Sequence, residues 1–186
     1  MMIRSAEPPR ELSAWLILAG GITLLLARPA LADGSAAPAV LAACYLTIGA
    51  AALSVREASP HPSALAWPPV LIIGLAAVVV VAWVVGPWPA LRLGWTGAPV
   101  GALAAVAEEA LFRRLAYARL LRFGAGVAVL GSALAFALLH VPLYGIEVLP
   151  VDLGAGLLLS WQRWAAGTWT VPAATHAAAE LLAVLR

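Results

Sequence analysis

Residues 107–122 read AEEALFRRLAYARLLR, and they set two adjacent carboxylates, Glu108 and Glu109, and four arginines among long apolar runs. The chain around them decides which solvent they meet. Of 186 residues, 63% are hydrophobic and 11% charged, with a mean hydropathy of +0.97. A water-soluble domain of this size would have too few polar side chains to cover its surface. The expected fold class is all-α, a polytopic bundle of transmembrane helices. Helices satisfy their own backbone groups in lipid, and about 20 apolar residues cross the hydrocarbon core. An ionisable group at membrane depth costs about 2.5–3.5 kcal/mol on insertion scales, so this stretch is where function is expected.

Working outward, the apolar pattern predicts about seven helices in one integral membrane domain. Residues 12–97 hold the N-terminal spans, at 12–27, 36–55 and 64–85. Residues 98–186 hold the last four helices, at 98–122, 126–141, 154–164 (short) and 171–185. The first run follows Arg4 and Arg10 in the charge order of a signal peptide, and Ala30-Leu31-Ala32 resembles a cleavage site. Arg28-Pro29 interrupts that approach and further spans follow closely, so a retained first span is expected. Turns are expected at Pro29 with Asp33-Gly34, at the polar loop holding Arg56, Glu57, Pro60, His61 and Pro62, at Gly86-Pro87-Trp88-Pro89, and at a loop marked by Glu147, Pro150 and Asp152. Trp67, Trp83, Trp88 and Trp95 stand near span ends as interface anchors.

Charge orients the bundle and excludes some partners. A net charge of +2, scattered along the chain, gives no footprint for nucleic acid. All 11 basic residues are arginine, a usage that, with abundant Ala, Gly and Pro, points to a GC-rich bacterial genome. With the N-terminus cytoplasmic, Arg4, Arg10, Arg56, Arg119, Arg122 and Arg163 collect inside, while Arg28, Arg92, Arg186, Asp33, Glu147 and Asp152 fall outside. The expected location is the bacterial inner membrane, with the lipid bilayer as a standing partner. Cys44 is the single cysteine and lies in an apolar run, which excludes a disulfide framework and a CxxC metal pattern.

Four polar sets remain at membrane depth: Glu108 with Glu109, Arg113 with Arg114, His140, and His176 with Glu180. Glu109 and Arg113 are four residues apart on one helix and pair along a face, as do His176 and Glu180. At a rise of ~1.5 Å per residue, all of these sets can meet in the middle third of the membrane. A carboxylate beside a histidine deprotonates a water, and a second histidine donates to the oxyanion of an attacked carbonyl, so the inventory fits peptide hydrolysis. Arg114, Arg119 and Arg122 read as anchors at a membrane face. Phe136, Tyr117, Tyr144, Trp161 and Trp164 read as packing or interface residues.

EEALFR at 108–113 resembles the EExxxR motif, FALLH at 136–140 the FxxxH motif, and HAAAE at 176–180 the HxxxN/D motif of the CPBP family of intramembrane proteases. That family includes the type II CAAX prenyl endopeptidases and bacterial enzymes of bacteriocin processing or immunity. Gly154–Gly156 and Trp-Thr-Val-Pro at 169–172 resemble its approach to the last histidine. The resemblance implies an intramembrane endopeptidase without a cofactor. In it, Glu108 and His140 activate water, Glu109 and Arg113 support them, and His176 with residue 180 stabilises the oxyanion. Glu180 departs from the motif, since an Asn donates where an ionised Glu only accepts. Its expected role is to orient His176 or to pair with Arg114.

The implied substrate is a membrane-anchored or C-terminal protein segment, with a sorting-tail-processing enzyme preferred and a cavity facing away from the cytoplasm. Three alternatives stay open. Glu108, Glu109, His140 and His176 could form a zinc set; the chain could be a non-catalytic binding or immunity protein of the same fold; or Glu and His could form the relay of a small proton-coupled transporter.

Overall fold

A computed structural model describes residues 8–32, 34–56, 65–85 and 97–184. Arg4, Asp33, Glu57, Pro60–Pro62, the Gly86–Pro89 turn, Arg92, Trp95 and Arg186, all named above, lie outside the described residues. Every regular element among the described residues is helical. In chain order the α-helices are α1 (Pro8–Leu26), a single turn α2 (Arg28–Leu31), α3 (Ala37–Ser54), α4 (Trp67–Val85), α5 (Ala98–Glu109), α6 (Tyr117–Leu120), α7 (Ala125–Tyr144), α8 (Leu149–Ala166) and α9 (Thr170–Val184), with 3-10 turns at Leu121–Phe123 and Ile146–Val148. A π-helical segment, Ala110–Ala116, joins α5 to α6 without a break. Ala37–Ser54, Trp67–Val84 and Ala125–Tyr144 are long and apolar enough to cross a membrane, and Glu11–Leu26 is a shorter apolar helix. The protein is an integral membrane helical bundle.

The helix starts follow local chemistry. Proline stands in the first turn of α2, α3, α5 and α8, where its missing N–H costs nothing and its fixed φ suits the helix. Pro150 therefore opens a helix and does not mark the loop expected there. The short helix expected at 154–164 runs from Leu149 to Ala166, and Asp152 lies in its first turn. Helix α7 likewise continues past the expected end at 141 and carries Pro142 inside its last turn, so His140 is an interior helical residue. Gly167, in the left-handed conformation at φ 69°, ends α8.

The helix of the opening stretch is the hub. Helix α5 packs against α3 and α9, α7 against α8, and α4 against α9 and α8. One apolar cluster joins Leu18 and Leu25 of α1, Leu41, Tyr45 and Ile48 of α3, and Leu111, Phe112 and Leu115 of the π segment to Phe136 and Leu139 of α7. Only 11% of the apolar α4 window is buried in the bundle, so α4 presents most of its outer face toward lipid. It is tied inward by Gln162 of α8, whose amide donates to the Val70 carbonyl (3.0 Å) and the Thr175 hydroxyl (2.9 Å). Such interhelical hydrogen bonds hold where lipid offers no hydrophobic drive between helices.

Arg114 is a correction. It is buried and is not a membrane-face anchor: its guanidinium donates to the carbonyls of Ala52, Leu53 and Val55, satisfying the orphan acceptors at the C-terminal end of α3. Arg122 does lie at a surface end, paired with Glu11 of α1 at 3.1 Å.

Helices α7 and α8 approach closely at Gly156. A Cβ there would stand 2.8 Å from the Ala133 carbonyl oxygen and 3.1 Å from its Cα, both backbone atoms that cannot yield cheaply. Gly156→Ala is expected to destabilise the bundle by about 1–3 kcal/mol through overpacking. Gly154, with nothing within 4 Å of its Cβ position, is the control: alanine there should be neutral or stabilising by up to ~1 kcal/mol. Unfolding midpoints of the two variants check the contrast.

Candidate active site

The two glutamates close α5, and the π-helical turn begins at the next residue. Widened turns of this kind occur frequently at functional sites. Glu108 and Glu109 are both buried but face different partners. Glu109 Oε1 accepts from Arg113 Nη1 (3.0 Å) and faces His176 Nδ1, also at 3.0 Å. Because a carboxylate only accepts, His176 Nδ1 carries the proton of that bond. Arg113 is completely buried and its Nη2 donates to the Gly156 carbonyl at 3.2 Å. Three helices are thereby pinned at one point.

Glu108 faces the other way. Its Oε1 accepts from Arg28 Nη1 at 2.7 Å, and its Oε2 lies 3.9 Å from His140 Nε2. That separation exceeds a direct hydrogen bond. His140 Nδ1 lies 2.9 Å from the Phe136 carbonyl, which can only accept, so Nδ1 bears hydrogen and Nε2 is the ring nitrogen turned toward Glu108.

Phe136 is more than packing. Its ring carries the Arg113 guanidinium 4.4 Å above its centroid, meets His176 edge-on at 5.6 Å and lies 4.6 Å from the His140 ring. It therefore sets the spacing of the two histidines.

Glu108, His140, His176 and Glu180 line a cavity of about 600 Å³ bounded by α2, α3, α4, α5, α7, α8 and α9, while Glu109 and Arg113 stand behind its wall. The six residues named from sequence thus come together as four facing the cavity and two supporting them. Glu180 lies over Gly101 of α5, where a Cβ would stand 3.1 Å from its Oε2. Its electrostatic neighbours are His176, Glu108, Arg28 and His140, whereas Arg114, offered from sequence as a partner, is turned to α3.

Sequence reasoning missed three residues here. Arg28, read as a loop residue on the outer side, is 6% exposed and holds Glu108. Asp152, read as a loop acid, is 7% exposed on the cavity wall, and its Oδ2 has no hydrogen-bond partner. Tyr144 lines the same wall and stacks on His140, with ring centroids 5.8 Å apart and planes 14° from parallel. Helical spacing gives away only Tyr144, which is four residues beyond His140 on one face. Among the described residues, no three His, Cys, Asp or Glu side chains gather as metal ligands. The donor set of the zinc alternative is divided, with Glu109 held between Arg113 and His176.

The family model for Rce1-like type II CAAX prenyl endopeptidases matches residues 67–182. The chain belongs to this family. The matched segment runs from α4 into α9 and contains Glu108–Arg113, His140, His176 and Glu180; Arg28 lies before it. No curated protein and no solved structure matches the chain. Family membership makes the protein a CAAX-type intramembrane protease, a hydrolase of membrane-associated peptide or protein substrates.

Proposed function

We infer that the protein hydrolyses a peptide bond in a membrane-anchored or C-terminal protein segment with a water activated by Glu108 and His140. One observation carries this reading: Glu108 Oε2 and His140 Nε2 face each other across 3.9 Å on the wall of the cavity. A water oxygen beside that gap can sit about 2.8 Å from both atoms, at hydrogen-bond length. Glu108 takes a proton as the water attacks, and His140 shares the load by accepting the second hydrogen bond. His176, whose Nδ1–H is held by Glu109, donates from Nε2–H in its imidazolium form to the negative charge that develops on the carbonyl oxygen. The proton then passes to the departing amine.

The apolar walls of the cavity suit a segment drawn from lipid, and trimming of C-terminal sorting tails is the preferred physiological task. The N-terminus is assigned to the cytoplasmic side on the arginine distribution.

The test is reconstitution. Purified protein in proteoliposomes is incubated with a panel of membrane-anchored peptides that vary the residues flanking the apolar segment, and new termini are read by mass spectrometry, with and without chelator. Discrete new termini that are insensitive to chelator are expected. No product from the whole panel would sink the protease reading, and loss of product with chelator would sink the metal-free water.

A further inference from the structure

Asp152 is an acid that the mechanism leaves unused. It stands in the first turn of α8, on the cavity wall, and is 7% exposed. Its Oδ2 is sealed in that wall without a hydrogen-bond partner, and among the described residues no hydrogen bond or ion pair reaches either oxygen. Oδ1 is therefore the edge of the carboxylate left to the cavity. The first electrostatic neighbour of Asp152 is His140. Neither ring nitrogen of His140 is free for it: Nδ1–H goes to the Phe136 carbonyl and Nε2 turns to Glu108.

The charges of the lining do not balance. Glu108, Asp152 and Glu180 stand against the single guanidinium of Arg28. Arg28 is held by Glu108, and Glu180 has His176 as its first electrostatic neighbour, so the unmatched charge falls on Asp152. A helix N-terminus favours an acid in its first turn, but that accounts for an acid at the surface and not for one walled in without a donor. Ionisable groups at membrane depth are placed for a partner. Here the protein supplies none, and a cation carried in by the ligand completes the pair.

The rest of the lining locates that cation on the ligand. Ala77, Val78 and Val81 of α4 and Leu158 of α8 make an apolar stretch of wall, whereas Asp152 lies where α7 ends and α8 begins. Leu158 is six residues beyond Asp152 on α8, a separation of about 9 Å along the helix at ~1.5 Å per residue. An apolar segment lies against the first region and its flanking residue reaches the second. A lysine or arginine at that boundary lays its methylenes along the apolar wall and extends its charged head to the acid.

We propose that Asp152 is a specificity-determining residue, which binds a lysine or arginine that stands beside the scissile bond at the end of the substrate's apolar segment. The proposal rests on the protease reading above and names the substrate class of that site. Asp152 touches no reacting atom; it selects the peptide and holds it in register with Glu108.

The test uses a panel peptide whose cleavage site has been mapped, remade with Lys, Gln or Glu at each of the three residues on either side of that site in turn. Phosphatidylcholine liposomes carry no net charge, so basic peptides are not concentrated at their surface. At one of these positions the wild type should cleave the Lys peptide with kcat/KM ~30-fold above the Gln peptide, the scale of a charge-assisted hydrogen bond, with most of the difference in KM. In Asp152→Asn that ratio should fall to within about threefold of one. Asparagine is isosteric and breaks no bond that the protein makes to Asp152, so this variant keeps the fold. In Asp152→Lys the order should invert, with the Glu peptide preferred over the Lys peptide by ~10-fold. Each ratio compares two peptides on one enzyme, so a general loss of activity cancels.

A Lys preference that survives in Asp152→Asn overturns the proposal. A wild type that cleaves the peptides without regard to charge at any position defeats this inference alone. One that cleaves nothing defeats the protease reading and this inference with it.

Discussion

Glu108→Gln is expected to lower peptide hydrolysis by about 10³-fold or more while the bundle stays folded, because a positioned general base contributes 10²–10⁴-fold and this one is also a water ligand. The substitution is isosteric. The amide oxygen still accepts from Arg28 Nη1, now bonded to the carboxylate at 2.7 Å, so the packing around residue 108 is kept and only the basic oxygen facing His140 is lost. The cost to stability should stay below the ~3–5 kcal/mol of deleting a partner from a buried pair, since a hydrogen bond survives although Arg28 loses its counter-charge. Initial rates in proteoliposomes, paired with an unfolding midpoint for the same sample, measure both effects. Activity within tenfold of wild type would remove Glu108 from the mechanism.

The ease with which this experiment could be designed from sequence differs from residue to residue. Glu108, Glu109, Arg113, His140, His176 and Glu180 were legible as ionisable groups at membrane depth and through resemblance to the family's motifs, and helical spacing added that Glu109 pairs with Arg113 and His176 shares a face with Glu180. The spans were legible for a similar reason, as runs of apolar residues bounded by proline and glycine, and the helices found depart from those spans by a few residues in most cases. What stayed hidden was tertiary. Arg28 reaches Glu108 across 80 positions, and its local sequence, Arg-Pro after an apolar run, looks like a turn leaving the membrane. Asp152 follows a proline that reads as a loop breaker but acts as a helix opener. The charge of Arg114 suggested a membrane face, yet its length allows it to cap α3 from inside the bundle. The π-helical register of Ala110–Ala116 leaves no mark in an apolar pattern that fits a plain helix equally well. The reading of Phe136 as packing was correct as far as it went, but its use as a spacer between two histidines requires three helices to be seen together.

Arg113→Met is expected to produce the largest loss of stability, about 3–5 kcal/mol, the range found when one member of a buried ion pair is removed. The side chain is fully buried and bonds Glu109 on its own helix and the Gly156 carbonyl on α8. Its guanidinium lies over Phe136 of α7, and its own carbonyl accepts from Arg163 Nε at 3.1 Å. Methionine fills much of the volume, so the deficit is electrostatic: Glu109 is left charged in a dry interior with only His176 to face it. That reasoning fixes the sign of a second measurement. In Glu109→Gln/Arg113→Met neither charge remains, and replacing a buried pair by neutral groups is often close to neutral for stability. The double variant should therefore be more stable than Arg113→Met alone. Its hydrolysis should nevertheless stay at least about tenfold down, since His176 has lost the anionic acceptor that orients it. A double variant no more stable than Arg113→Met would mean that Arg113 acts through its contacts with α7 and α8 and not through Glu109. Recovery of stability with full activity would mean that the charge on Glu109 serves packing alone.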